Sequence, residues 1–197
     1  MKGRTWRYNH LPGFGPNTII RTMAPLLLTG TPGIGKTTVI RKLAMSLSGH
    51  CFSGFVTDEI RNEQGRKGFR LITFKGQEAT MAHVDIQSPH RVGKYRVDVK
   101  TIDRLAKIAL RIEPNIELYL IDEIGKMECL SRIFVAGMRS VLDSGKPVIA
   151  SVAKKGEGLI SEVKKRQDSV IWEVTHQNRN DLPYSILHWI RGKHELM

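Results

Sequence analysis

An α/β fold, three layers deep with a mostly parallel central sheet between helices, is what this chain predicts, and three observations predict it. From residue 25 onward, short apolar runs alternate with stretches of helical periodicity, the pattern of strands joined by crossover helices. The run NIELYLIDE is apolar almost without interruption, as a strand covered on both faces must be. A glycine-rich turn, GTPGIGKT at 30–37, stands where the first apolar run meets the first helical stretch. With 197 residues and 41% hydrophobic content, the chain has material for one good core.

Residues 1–23 hold Pro12, Gly13, Gly15 and Pro16 without a sustained period, so a basic, loosely ordered extension is expected ahead of a single domain at 24–197. PLLLT reads as a buried strand. GKTTVIRKLAMSLSG repeats apolar side chains at Val39, Leu43 and Leu47, a helix for which Gly49 is the natural stop. CFSGFVTDEI is the second strand, and RNEQGRKGFRLITF turns at Gly65 into an antiparallel partner, a β-hairpin insertion after that strand. TIDRLAKIALRI is a helix, and NIELYLIDE takes the central position. A long helix is expected from Met127 to Leu142, its stripe of Met127, Leu130, Phe134, Met138 and Val141 facing the core. KPVIASVA and DSVIWEVT add two strands, and DLPYSILHWIRG a closing helix ending at Gly192.

The formal charge is +12, and the first acidic residue is Asp58, so 57 residues carry Lys and Arg unopposed. Such a balance calls for anionic partners. No apolar run approaches the roughly 18 residues that would cross a bilayer, which excludes a membrane partner by that route. Two cysteines, Cys51 and Cys129, have no metal-ligand spacing and are too few for a disulfide framework, so a reducing cytoplasm is the expected compartment.

The turn at 30–37 fits G-x-x-x-x-G-K-[ST] and lies after a strand and before a helix, the context in which that pattern binds phosphate. Gly30, Thr31, Pro32, Gly33, Ile34 and Gly35 form the nucleotide-binding loop, in which Gly33 and Gly35 let the backbone bend close around phosphates and the amides of Gly33 to Thr38 converge at a positive helix terminus. Lys36 adds a point charge for the β and γ oxygens of a triphosphate. Thr37 offers a hydroxyl to Mg²⁺, and Thr38 reaches the α-phosphate or simply begins the helix. A nucleoside triphosphate with Mg²⁺ is the ligand this pattern takes.

A nucleotide-bound Mg²⁺ needs an acidic anchor, and Asp122 at the carboxyl end of the central strand suits it. Successive strand residues point to opposite faces, so Asp122 and Glu123 divide the work: Asp122 on the metal, Glu123 toward the γ-phosphate, where a carboxylate deprotonates an attacking water. The competing reading of Glu123 is a solvated acid paired with Lys126.

On these residues the chain resembles the nucleoside-triphosphatases of the thermophilic nucleoside-triphosphate phosphohydrolase type, which include the cancer-related nucleoside-triphosphatase of animals. LLTGTPGIGKTT is similar to the family's opening, GFVTDEIRNEQGRKGFRLI to its second strand and hairpin, and VGKYRVDV and IDEIGKMECLS to further segments. The resemblance covers most of the chain from about Met23. It implies a RecA-like P-loop core and Mg²⁺-dependent hydrolysis of ATP, GTP and other nucleoside 5′-triphosphates to diphosphate and phosphate with broad base tolerance. It also supports Glu123 as the water-activating catalytic residue beside Lys36. Asn178 and Arg179 match the family's Asn-Arg, which implies nucleotide contact, whereas Asn180 stands where the family usually has an acid.

Asn178 to Asp181 also imitate a guanine-reading pattern, but Asp181 equally caps the last helix. Arg61, Arg66, Lys94 and Lys154 are candidates for the cation that meets charge on the transferring phosphoryl group. Two other readings remain open at this point. A P-loop nucleotide or small-molecule kinase would use the basic segment AKKGEGLISEVKKRQDS as a lid. A nucleic-acid-associated ATPase would use the basic surplus, though no aromatic-basic platform favours a nucleic-acid partner. Oligomeric state leaves no mark in the sequence.

Overall fold

The computed structural model describes residues 24–192, so the expected extension at 1–23 lies outside the described residues. Nine strands and five α-helices follow in the order β1 (Leu26–Thr29), α1 (Lys36–Ser46), β2 (Phe52–Asn62), β3 (Gly65–Thr73), β4 (Glu78–His83), β5 (Arg91–Val92), β6 (Tyr95–Val97), α2 (Val99–Ala109), β7 (Leu118–Ile124), α3 (Arg132–Leu142), β8 (Val148–Val152), α4 (Leu159–Lys165), β9 (Val170–Glu173) and α5 (Leu182–Ile190) among the described residues. All nine strands form one sheet in the order β5-β6-β4-β3-β2-β7-β8-β1-β9.

Strand alternation sorts the core into two halves. Leu27, Phe55, Tyr119, Ile121 and Ala150 face one way, where Ile102 and Leu105 of α2, Phe134 and Met138 of α3 and Val163 of α4 cover them. Leu26, Leu28, Val56, Leu120 and Ile149 face the other way, under Val39 and Leu43 of α1 and Ile186 and Trp189 of α5. Helices therefore lie on both faces of the sheet.

Three details depart from the sequence expectation. The sheet is mixed: β2, β7, β8, β1 and β9 pair in parallel, whereas β3, β4, β6 and β5 extend it through antiparallel pairs. The stretch around VGKYRVDV, read only as a motif, supplies two of those strands. The helix expected over 127–142 is interrupted, because Ser131 caps α3 by accepting from Phe134 N–H at 2.9 Å, and a separate 3₁₀ turn, Glu128–Leu130, precedes it. A serine with extended backbone ends one helical segment and starts the next. Finally, α1 stops at Ser46 rather than running to Gly49, whereas Gly192 follows α5 with φ 70°.

One close approach sets the spacing of the parallel half. Gly54 of β2 pairs with Leu120 of β7, and a Cβ at Gly54 would fall 1.9 Å from the Leu120 carbonyl oxygen, with φ at 123°. Backbone cannot yield to it. Gly54→Ala should therefore destabilise the fold by about 3 kcal/mol or more. Urea denaturation of the variant reads the effect, and an unchanged midpoint would contradict this account of the β2–β7 contact.

Candidate active site

The glycine loop joins β1 to α1. Gly35 occupies the N-cap of α1 in a left-handed conformation, φ 116°, and gives the helix no side-chain cap, so the first amides stay available to an anion. Ile34 is buried in the core and contributes its backbone to the loop, while Thr31, Pro32 and Gly33 form an exposed rim and Gly30 packs beneath it. Lys36 is 7% exposed, and its Nζ donates to the Gly30 carbonyl at 3.2 Å, closing the loop on itself. Thr37 is half-buried in the first turn of α1 and Thr38 is exposed.

Asp122 is 1% exposed near the end of β7. Ser151 of β8 donates its hydroxyl to one carboxylate oxygen at 2.7 Å, and Thr57 of β2 donates its hydroxyl to the other at 3.2 Å. Both supporting hydroxyls come from the strands that flank β7. The expectation that Asp122 and Glu123 face opposite ways takes the strand as regular, but the ladder with β8 shifts register between Ile121 and Ile124.

Glu123 is half-buried. Burial pushes its carboxyl above the ordinary value; the Lys36 ammonium pulls it back, Asp122 adds to the rise, and Lys164 opposes it. Glu123 thus shares one electrostatic neighbourhood with the loop lysine and with a lysine of α4. Lys164 is held by donating to the carbonyls of Ala153 at 2.5 Å and Lys154 at 2.9 Å, and its own ammonium is pulled down by burial, against Glu123.

Two groups went unread in the sequence. Lys164 lies in the basic segment AKKGEGLISEVKKRQDS, and of the four candidate cations Arg61 and Arg66 pair with Glu59, Lys94 lies over the Tyr95 ring, and Lys154 pairs with Glu173. Glu128, on the 3₁₀ turn, is 4% exposed, and burial pushes its carboxyl up to about 8; its own amide opposes the shift, the charges of Glu123 and Asp122 add to it, and the Gly125 amide opposes it. The one signal in the sequence was an acid inside a stretch expected to be a core-facing helix.

The Asn178–Arg179 pair meets the loop from the other side. Arg179 donates to the Ile34 carbonyl at 3.3 Å and passes over Gly35. Asn178 accepts from Thr175 N–H at 2.8 Å and donates to the Glu173 carbonyl at 2.9 Å, so its side chain holds its own turn. Asp181 sits at the N-cap of α5 without a side-chain cap bond.

The residues present fit Mg²⁺. Asp122 and Thr37 offer hard oxygens, and among the described residues no group of three or more His, Cys, Asp or Glu could hold an ion by protein ligands alone. That donor set suits a metal that arrives with phosphates and keeps several waters. No described helix is long and apolar enough to cross a membrane.

The NTPase family model matches residues 25–187. The chain belongs to this NTPase family. Among its relatives, the nucleoside-triphosphatase THEP1 of Thermotoga maritima is 42% identical over 163 residues, spanning 82% of this chain and 92% of that protein. The cancer-related nucleoside-triphosphatase of Homo sapiens is 35% identical over 173 residues, spanning 80% and 91%. The crystal structure of THEP1 from Aquifex aeolicus superposes with a TM-score of 0.77 at 31% identity, covering 84% of this chain and 98% of that one. The loop, the central strand and the first two-thirds of α5 of this family member lie within the matched span.

Glu128 makes stability depend on pH. Its folded-state carboxyl holds a proton up to about pH 8, whereas the unfolded carboxyl releases it near 4.5, so the stability gained from that proton is lost as pH rises between those values. Glu128→Gln cannot lose the proton. The variant should gain on the parent from pH 5 to pH 8, by at most roughly 1.4 kcal/mol per pH unit, with the gap constant above that. Parallel urea curves at four pH values across this range would disprove the buried neutral acid.

Proposed function

We propose that the chain is an Mg²⁺-dependent nucleoside-triphosphate phosphohydrolase that converts ATP, GTP and other nucleoside 5′-triphosphates, with water, to the diphosphate and phosphate. One observation carries the reading: a raised, half-buried Glu123 lies in the field of the loop lysine, next to a fully buried Asp122 anchored from both neighbouring strands.

In this reading the amides at Gly33 to Thr38 and the Lys36 ammonium bind the β and γ phosphates. Lys36 leaves the Gly30 carbonyl for the phosphate oxygens. Thr37 and Asp122 would hold Mg²⁺, which would supply positive charge against the phosphates. Glu123 orients a water in line with the γ-phosphorus and takes its proton as the P–O bond to the diphosphate breaks; the bonding electrons leave with the diphosphate, and the proton is released later to solvent. Burial makes Glu123 a stronger base, while the charges of Lys36 and Lys164 oppose that rise. Lys164 is also the fixed cation on the γ side.

Broad base tolerance follows from what Arg179 offers. A guanidinium stacks on the face of any base, and the neighbouring Asn178 has its side chain engaged in its own turn. THEP1 of Thermotoga and the human relative are named nucleoside-triphosphatases, which agrees with hydrolysis rather than transfer. The kinase reading needs a free basic lid, yet Arg166 is paired with Asp143 and Asp168, and Lys164 is pinned to two carbonyls. Free Cys51 and Cys129 accord with a reducing, cytoplasmic setting.

Glu123→Gln tests the proposal. Phosphate release from ATP with Mg²⁺ should proceed in the parent without any acceptor, and the variant should bind nucleotide as the parent does while turning over about 10² to 10⁴ times more slowly. Turnover that requires an added acceptor, or that survives the substitution, would refute the hydrolytic role.

A further inference from the structure

We propose that Glu128 is a positioning residue for hydrolysis: its carboxyl, packed into the Gly125 turn that follows Glu123, fixes where Glu123 presents its oxygens to the attacking water. The inference rests on the reading of Glu123 as general base.

A general base must be held to within a fraction of an ångström, and something must hold this one. The influences on the Glu123 carboxyl are burial and the charges of Lys36, Asp122 and Lys164, with no hydrogen bond among them. Packing has to supply the orientation, and Glu128 is the buried side chain placed to supply it. A Cβ built at Gly125 would lie 2.6 Å from Glu128 Oε2 and 3.7 Å from Glu123 Cγ. Both acids thus border the space beside Gly125, which a side chain at that position would crowd.

The turn carrying Glu128 is fixed from several sides. Cys129 N–H donates to the Gly125 carbonyl at 3.1 Å, Leu130 N–H to the Met127 carbonyl at 3.2 Å, and Ser131 N–H to the Glu128 carbonyl at 3.0 Å. Ser131 then donates its hydroxyl to Asp103 of α2 and caps α3. Glu128 is rooted in this frame, beside the turn that follows Glu123.

Its chemistry suits that part. The charges that bear on Glu128 are those of Glu123 and Asp122, both acids, so a buried carboxyl here keeps its proton and adds no repulsion against the base or the triphosphate. An apolar residue of the same size would fill the space but could not accept from the Glu128 and Gly125 amides that its oxygens face. Shape and neutral polarity are both used.

Glu128→Ala, Glu128→Gln and Glu128→Asp test the inference, with kcat, KM and the Kd of a non-hydrolysable triphosphate measured beside the urea midpoint of each. Glu128→Ala should lower kcat about 10- to 100-fold, as lost support of a functional group does, with KM and Kd near the parent's. Glu128→Gln, neutral and of the same length, should restore most of the loss. Glu128→Asp keeps the acid but draws it back by a methylene, and should not. Parental kcat in Glu128→Ala, a loss appearing in KM instead, or rescue by Asp but not by Gln would overturn the inference. Should Glu128→Ala fail to fold, the Gln and Asp variants decide by the same ordering. Glu123→Gln, run in parallel, separates the two ideas: activity retained there removes the general base and this inference with it, whereas activity lost there but intact in Glu128→Ala removes this inference alone.

Discussion

A carboxylate buried to 1% exposure at the tip of the central strand is the constraint on which the rest of this molecule depends. Removing such a charge from water costs several kcal/mol unless its oxygens are engaged. Asp122 meets that condition only because β2 and β8 flank β7 and bring Thr57 and Ser151 to its two oxygens. Sheet order and site are thus one fact. Gly54 lets β2 run close beside β7, and Thr57 follows three residues later. On its other side Thr57 pairs with Leu71 of β3, so the antiparallel half of the sheet is tied to the strand that orients the acid.

Around that fixed charge, two further acids are set apart by their surroundings. Burial raises both Glu123 and Glu128, but two lysines oppose the rise at Glu123, whereas the charges bearing on Glu128 are acidic. The lysines temper the rise at Glu123, whereas nothing cationic among the described residues tempers it at Glu128, whose carboxyl is pushed up to about 8. Different environments assign different protonation states to the same side chain, and such divergence marks paired roles in an active site. In this structure Lys36 is held by the Gly30 carbonyl and Lys164 by the carbonyls of Ala153 and Lys154 just past β8.

How legible this was in the sequence depends on the range of each interaction. The glycine loop, β1 and α1 are contiguous, and their chemistry was readable because the spacing itself is the mechanism. Asp122 and Glu123 stand out in the sequence at the abrupt end of an apolar strand, where the structure places them at the tip of β7. Thr57 and Ser151 were not, since a hydroxyl 65 or 29 residues away acquires meaning only through strand order. Lys164 and Glu128 were missed for the opposite reason, that each had a cheaper local explanation: a basic surface segment for one, an uninterrupted helix for the other. The break at Ser131 turns that helix into a 3₁₀ turn followed by α3, and Glu128 faces inward as a result. Short strands such as β5 and β6, of two and three residues, carry too little periodicity to be seen.

The charge asymmetry of the chain acquires a physical sense in the same frame. α1 has no acid in its first turn, where most helices gain stability by placing one. A carboxylate there would satisfy the free amides and compete with any incoming phosphate. The first acid in the sequence, Asp58, is engaged by Arg41 on the same helix, well past the loop. The field at the helix terminus is thereby left to the ligand, and the acids that do approach, Asp122 and Glu123, reach the loop from β7, the strand that would carry metal and water. Omitting a local cap costs α1 about 1 kcal/mol, a loss that the buried face of Val39, Ile40 and Leu43 offsets.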